Sequence, residues 1–141
     1  MSYDTRWFIK EDMPAVLELM EEYPWKWSKD ELMNCLRTKP YLGHVVARDY
    51  DEVEGFLLCL LEKKALHVPL LVASTEAAVR RLINKLKEKL SPSHRTLLKV
   101  EVDEQDLRLQ VELRDLGLVA KVAEDGNYLF RWLEVWGRDA S

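Results

Sequence analysis

A junction between a predicted strand and a predicted helix is where the residue types first suggest chemistry. The strand covers residues 66–73 and is almost entirely apolar, and the helix begins near Thr75. Backbone N–H groups at the start of a helix that follows a strand commonly bind a phosphate. No glycine lies between Ala73 and Arg80, although glycine lets the backbone approach a phosphate closely. Ser74 and Thr75 therefore suit either a phosphate site or an ordinary helix N-cap.

Basic residues cover much of this helix. They are Arg80, Arg81, Lys85, Lys87 and Lys89. Such a face is usually solvated, and it can also attract phosphates or an acidic partner. The apolar residues of the same segment fall on one stripe, which predicts an amphipathic helix packed against a sheet.

The cysteines and histidines do not form a recognisable site. Cys35 and Cys59 are the two cysteines, too few for a disulfide framework, so we expect buried thiols in a reducing compartment. His44, His67 and His94 are scattered and have no zinc-ligand spacing. The sequence therefore predicts no metal site.

Composition limits the classes of function. The chain has 141 residues and a net charge of −4, which suits one domain, residues 1–141, without a basic field for nucleic acid. No apolar run approaches the roughly 20 residues of a membrane span, and the N-terminal residues are polar, unlike a secretory signal. We therefore expect a cytoplasmic protein that binds neither nucleic acid nor a membrane.

The predicted elements alternate between strands and helices. Hydrophobic periodicity and turn residues give the order β-α-α-β-β-β-α-β-α-β-β, an α/β fold with a mixed sheet. Gly117 ends the last helix as a C′ residue. A hairpin with a tight turn at residues 124–127 closes the chain.

Tryptophans near the two ends have open interpretations. Trp25 and Trp27 flank Lys26, where they could line a groove or staple two helices together. Trp132 and Trp136 would share one face if the last strand continued that far, and this exposed face could support a homodimer.

The chain resembles the GNAT superfamily of acetyl-CoA-dependent N-acetyltransferases, and among them the bacterial ribosomal-protein alanine acetyltransferases. The resemblance extends from Arg6 to about Leu133 and includes the order of the elements. Four stretches carry it, namely "RWFIKEDMPAVLELM", "YPWKWSKDELMNCLR", "EVEGFLLCLL" and "VEVDEQDLRLQVELRDLGLVA". It implies a GNAT fold and an acyltransferase that uses acetyl-CoA and a primary amine, such as a peptide N-terminus or a small amine.

The resemblance also implies roles for individual residues. Glu101 matches the glutamate that serves these enzymes as general base towards the amine. It could equally be a solvent-facing strand residue in the alternation of Lys99, Glu101 and Asp103. The strand backbone at Leu71, Val72 and Ala73 would position the thioester. The helix start at Ala77, Ala78, Val79 and Arg80 would receive the pyrophosphate of coenzyme A. Pro69 falls where the strand of these enzymes carries a bulge, a place that tolerates proline.

Three departures from the family pattern support a different function. The glycine-rich phosphate loop before Ala77 is shortened by roughly four residues, allowing for boundary error. Leu113 stands where the family has a tyrosine that acts as general acid, and leucine cannot donate a proton. The turn before the last strand is shorter than the loop that helps to form the acceptor groove. The alternative is therefore a non-catalytic GNAT-like domain that serves as a protein-interaction or regulatory module.

Overall fold

The computed structural model describes residues 3–23, 27–38, 40–49, 52–123 and 126–139. A single 3-10 turn, Lys10–Asp12, precedes the first helix. The helices are α1 Met13–Glu21, α2 Lys29–Thr38, α3 Glu76–Leu90, α4 Leu107–Asp115 and α5 Glu134–Asp139. The strands are β1 Tyr3–Trp7, β2 Tyr41–Arg48, β3 Glu52–Leu61, β4 Ala65–Ala73, β5 Leu97–Asp103, β6 Val119–Val122 and β7 Asn127–Leu133.

The strands form one mixed sheet. Their order is β1-β2-β3-β4-β5-β7-β6, and only the β4–β5 pair is parallel. The predicted α/β class and the predicted order of elements are confirmed. The structure adds the helix α5 after the last strand, which the sequence pattern did not indicate.

Helices cover the sheet on both faces. The predicted stripe of α3 is confirmed, because Val79, Leu82, Ile83, Leu86 and Leu90 are all buried in one core cluster with side chains of β3–β5, α4 and β7. A second cluster joins α1 and α2 to side chains of β2–β4 on the opposite face. Gly55 allows α3 to approach the sheet, because a Cβ there would lie 3.1 Å from Ala78 Cβ and from Leu82 Cδ1.

The middle of β4 contains the expected irregularity. Leu58 of β3 faces Leu70, and Leu60 faces His67, so two residues of β4 oppose one of β3. The extra residue lies at Val68–Pro69 and forms a β-bulge. A proline is tolerated there because the ladder is already interrupted.

β4 and β5 separate beyond this bulge. Their parallel pairing extends from Ala65 opposite Leu97 to Val68 opposite Val100. β4 nevertheless continues to Ala73 and β5 to Asp103, with β5 still paired to β7. The unpaired C-terminal ends of these two strands leave a wedge-shaped cleft in the middle of the sheet.

The prediction about the C-terminal tryptophans is wrong. β7 ends at Leu133, and Trp136 lies in α5, so the two side chains do not share a strand face. Trp132 packs against the core, with Lys87 Nζ 4.7 Å from its ring centroid. The proposal of a homodimer loses this support. Trp25 and Lys26 lie outside the described residues.

His44 is a buried titratable residue on the α3 face of β2. Its ring stacks on Trp7 at a centroid distance of 4.4 Å, and Lys89 Nζ lies 4.3 Å from the Trp7 ring. Among the described residues, neither of its ring nitrogens has a hydrogen-bond partner. Burial, with smaller contributions from Lys89 and Lys85, lowers the pKa of His44 to about 4. The folded chain therefore holds this ring in its neutral form.

The structure also bears on membrane spans, metal ligands and the two cysteines. Across the described ranges, no helix is long and apolar enough to cross a membrane. The same residues contain no group of three or more His, Cys, Asp or Glu side chains that could hold a metal ion. Cys59 is buried and Cys35 half-buried, and burial raises the pKa of the Cys59 thiol to about 12. Cys59 is therefore an unreactive core residue.

Candidate active site

The cleft between the separated ends of β4 and β5 contains a cavity of about 170 Å³. Its walls come from both strands, from the segment before α2 and from the start of β7. The lining residues are Trp27, Pro69, Leu70, Leu71, Glu101, Val102, Asp103 and Asn127. The structure thus brings Glu101 and Leu71, both predicted site residues, to opposite sides of one cavity.

Glu101 belongs to a chain of alternating charges beside this cavity. His67 Nε2 lies 2.7 Å from Glu101 Oε2, and His67 Nδ1 lies 3.3 Å from Glu62 Oε2. Lys99 Nζ lies 2.6 Å from Glu62 Oε1. β4 supplies the histidine, β5 supplies the lysine and Glu101, and Glu62 follows β3. The Glu101 side chain is 39% exposed, so it remains accessible from the cleft.

These contacts shift two pKa values in opposite directions. The hydrogen bond to Glu101, opposed by burial and helped by Glu62, raises the pKa of His67. The hydrogen bond from Lys99, with a smaller one from His67, lowers the pKa of Glu62. The arrangement therefore favours the charged form of the imidazole ring, which lies between two carboxylates.

Part of the backbone of the predicted thioester-binding strand is already hydrogen-bonded within the protein. Leu71, Val72 and Ala73 are buried and pair with β3 along one edge. On Ala73, the carbonyl oxygen accepts a hydrogen bond from the Tyr23 hydroxyl at 2.7 Å. Burial raises the pKa of Tyr23, which keeps this hydroxyl protonated and able to donate.

Tyr23 closes the path that leads from the cleft towards the start of α3. The space here is only about 10 Å³, room for one water molecule at most. The lining residues are Tyr23, Leu71, Ala73, Val79, Asp106, Arg108, Leu109 and Glu112. We call this path the α3–α4 channel. In this conformation it is filled by side chains.

The start of α3 is an ordinary capped helix end. Thr75 is the N-cap, and its Oγ1 accepts a hydrogen bond from the Ala78 N–H at 3.1 Å. The Val79 N–H donates to the Thr75 carbonyl oxygen at 3.3 Å, and the side chains of Ala78 and Val79 are buried. Arg80 is exposed and pairs with Glu76 at 3.4 Å. The N-cap interpretation of the junction is confirmed.

Carboxylates surround this helix start. One shallow depression beside Ser74 is lined by Glu18, Glu22 and Glu52 without a basic side chain. Another contains Arg80 together with Glu76, Glu112 and Asp115. A pyrophosphate would meet more negative than positive charge here.

Sequence reasoning missed two residues of the site, Tyr23 and His67. Leu113, predicted in place of a catalytic tyrosine, is fully buried in the core. The tyrosine that the structure places beside the site is Tyr23, from the end of α1. The histidines seemed scattered in sequence, yet His67 contacts both Glu62 and Glu101. The alternation of Lys99 and Glu101 on β5 was the available signal for a charged strand face.

Comparison of the sequence with known proteins gave no match. No protein-family model matches the chain, and the search of curated proteins found no match either.

Solved structures do match, by fold. A GNAT-family acetyltransferase from Staphylococcus aureus has a TM-score of 0.76 at 8% identity, covering 94% of this chain and 99% of that one. The ribosomal-protein-S18-alanine N-acetyltransferase from Escherichia coli has a TM-score of 0.70 at 12% identity, and the match covers 94% of each chain. PaiA N-acetyltransferase from Thermoplasma acidophilum, in complex with coenzyme A, has a TM-score of 0.69 at 12% identity. The match covers 94% of this chain and 99% of that one. The chain therefore has the fold of the GNAT acetyltransferases.

Proposed function

We propose that this chain is an acyl-CoA-dependent N-acyltransferase whose acceptor is a primary amine. The observation that carries the proposal is the cleft where β4 and β5 separate, with the Glu101 carboxylate in its wall. The similar folds include the alanine acetyltransferase and the coenzyme A complex named above. A peptide N-terminus or a small amine would suit the cleft.

The charges of the cleft suit a cationic acceptor. Glu101 and Asp103 both line the cavity, and no lysine or arginine does so among the described residues. A protonated amine is attracted to such a site and must lose a proton before it can act as a nucleophile. Glu101 would take that proton, which leaves the electron pair on the nitrogen free to attack.

The donor site fits acetyl-CoA at one end only. When bound, acetyl-CoA would supply an acyl group activated as a thioester. The cleft has room for the acyl end beside Leu71–Ala73. The α3–α4 channel has no room for the rest of the molecule while Tyr23 bonds to Ala73. Binding at Ala77–Arg80 therefore requires Tyr23 to move.

Calorimetric titration with acetyl-CoA and with coenzyme A tests the donor site. We expect binding that weakens by up to about thirtyfold in Arg80→Glu, because reversing an exposed charge removes one favourable contact and adds one repulsion, each worth up to ~1 kcal/mol. Lys121→Glu, a matched charge reversal on the exposed edge strand β6, should bind as the wild type does. Equal weakening in both variants would contradict a phosphate site at α3.

The second candidate is a non-catalytic module for protein interaction or regulation. Two observations favour it. Tyr23 fills the α3–α4 channel, and carboxylates surround the start of α3. Under this proposal the cleft is a remnant, and neither acetyl-CoA nor coenzyme A binds.

Replacing Tyr23 distinguishes the two candidates. Tyr23→Ala removes the ring and the hydrogen bond to Ala73, so a donor no longer has to displace them. A hydrogen bond and its contacts are worth about 1–1.5 kcal/mol, and we therefore expect acetyl-CoA affinity to rise about tenfold. Tyr23→Phe keeps the ring and should gain less. If neither wild type nor Tyr23→Ala binds at about 1 mM ligand, the enzyme proposal is wrong and the module is favoured.

A further inference from the structure

We propose that His67 is a positioning residue for Glu101. The imidazole ring, held on its far side by Glu62, fixes the Glu101 carboxylate at the wall of the cleft, where it can meet the acceptor amine. This inference rests on the proposed function and adds to it a residue outside the family pattern.

The geometry leaves one carboxylate oxygen for the substrate. Glu101 Oε2 is engaged by His67 Nε2 at 2.7 Å, so Oε1 is the oxygen that can take a proton from an amine in the cavity. A single hydrogen bond fixes one end of a carboxylate only when the donor itself is held. The donor is held here, because His67 is anchored in β4 and its other nitrogen faces Glu62.

Glu62 is in turn fixed by partners from other elements. Lys99 binds its carboxylate, and the Arg95 guanidinium donates to its backbone oxygen at 2.6 Å. Around the ring, the segment after β3 contributes Glu62, β5 contributes Lys99 and Glu101, and β2 contributes Tyr41 across Leu60. Arg131 of β7 lies opposite Lys99. Two carboxylates contact the ring directly, and Lys99 opposes them by lowering the pKa of His67.

The charge of the ring controls the strength of the base. In both charge states the ring can donate from Nε2 to Glu101, but Nδ1 can donate to Glu62 only when the ring is charged. A carboxylate beside an imidazolium accepts a proton less readily than one beside a neutral ring. Transfer should therefore become faster as pH rises through the pKa of His67, which the Glu101 contact raises above its ordinary 6.5.

Titration of the labelled histidine rings by NMR tests the contact without any ligand. We expect the His67 pKa to fall by about one unit in Glu101→Gln. It should stay unchanged in Glu104→Gln, because Glu104 is an exposed glutamate three positions further along the chain. The His67 signal is assigned from its loss in His67→Gln. An unchanged His67 pKa in Glu101→Gln would overturn the inference.

The pH dependence of acyl transfer tests the role. In His67→Gln, whose amide can still donate to Glu101, the rise of kcat with pH should disappear, while the Kd of acetyl-CoA stays within twofold. In His67→Ala, kcat should fall about tenfold further. An identical pH profile in His67→Gln and wild type would overturn the role. A third outcome is that the His67 pKa falls in Glu101→Gln but the protein binds no acetyl-CoA. That result would overturn the proposed function, and with it the role of His67 in acyl transfer.

Discussion

Replacing Glu101 by glutamine is expected to lower the rate of acyl transfer by about 10²–10⁴-fold, the usual contribution of a general base. Glutamine has nearly the same shape and can still accept a hydrogen bond from His67 Nε2, which lies 2.7 Å from the carboxylate. It cannot take a proton from an ammonium group. The loss should appear in kcat, and the affinity for acetyl-CoA should not change, because the proposed role of Glu101 is towards the acceptor amine.

The assay follows release of the coenzyme A thiol with a panel of primary amines. Glu104→Gln is the control, since it makes the same change of charge at an exposed position three residues away. We expect it to retain wild-type activity. If Glu101→Gln and wild type transfer acyl groups equally fast, Glu101 is not the base and the mechanism must be assigned to another group.

Lowering the pH from 6.5 towards 4 is expected to reduce the free energy of unfolding by up to about 3 kcal/mol through His44 alone. The ring is 3% exposed and its folded-state pKa is depressed to about 4. A depressed pKa contributes stability above the unfolded pKa of 6.5, and this stability is lost as pH falls to the folded pKa. His67 acts in the other direction, because its raised pKa contributes stability that is lost above pH 6.5.

Urea unfolding followed by tryptophan fluorescence at several pH values between 4.5 and 7 measures this effect. His44→Leu keeps an apolar side chain of similar size in the site and should remove most of the slope. His94→Asn is the matched control, because His94 is exposed and has a φ of +60°, a conformation that asparagine tolerates. A slope that persists in His44→Leu would assign the acid sensitivity to other groups.

Local sequence patterns were sufficient for most of the architecture. The stripe on α3 predicted a buried face because its apolar residues recur with the period of a helix, and that face is buried. Gly117 was predicted as a C′ residue, and its φ is +91°, with the Leu118 N–H donating to the Leu113 carbonyl oxygen at 3.0 Å. These features depend on residues near one another in the chain.

The partners of the site residues could not be predicted in this way. His67 and Glu101 are 34 positions apart, and their contact depends on the register of β4 against β5, where His67 lies opposite Lys99. Tyr23 reaches Ala73 across 50 positions, because the end of α1 lies over the open end of the cleft. Neither register nor helix placement is encoded in a local pattern.

The sequence by itself determined the α/β class and the order of the elements, since hydrophobic periodicity and turn chemistry are local properties. Only the tertiary structure decided that β4 and β5 separate beyond Val68, that Glu101 meets His67 there, and that Tyr23 fills the channel behind. The physical reason is that these contacts join distant segments, whose approach is set by packing of the whole sheet and its helices.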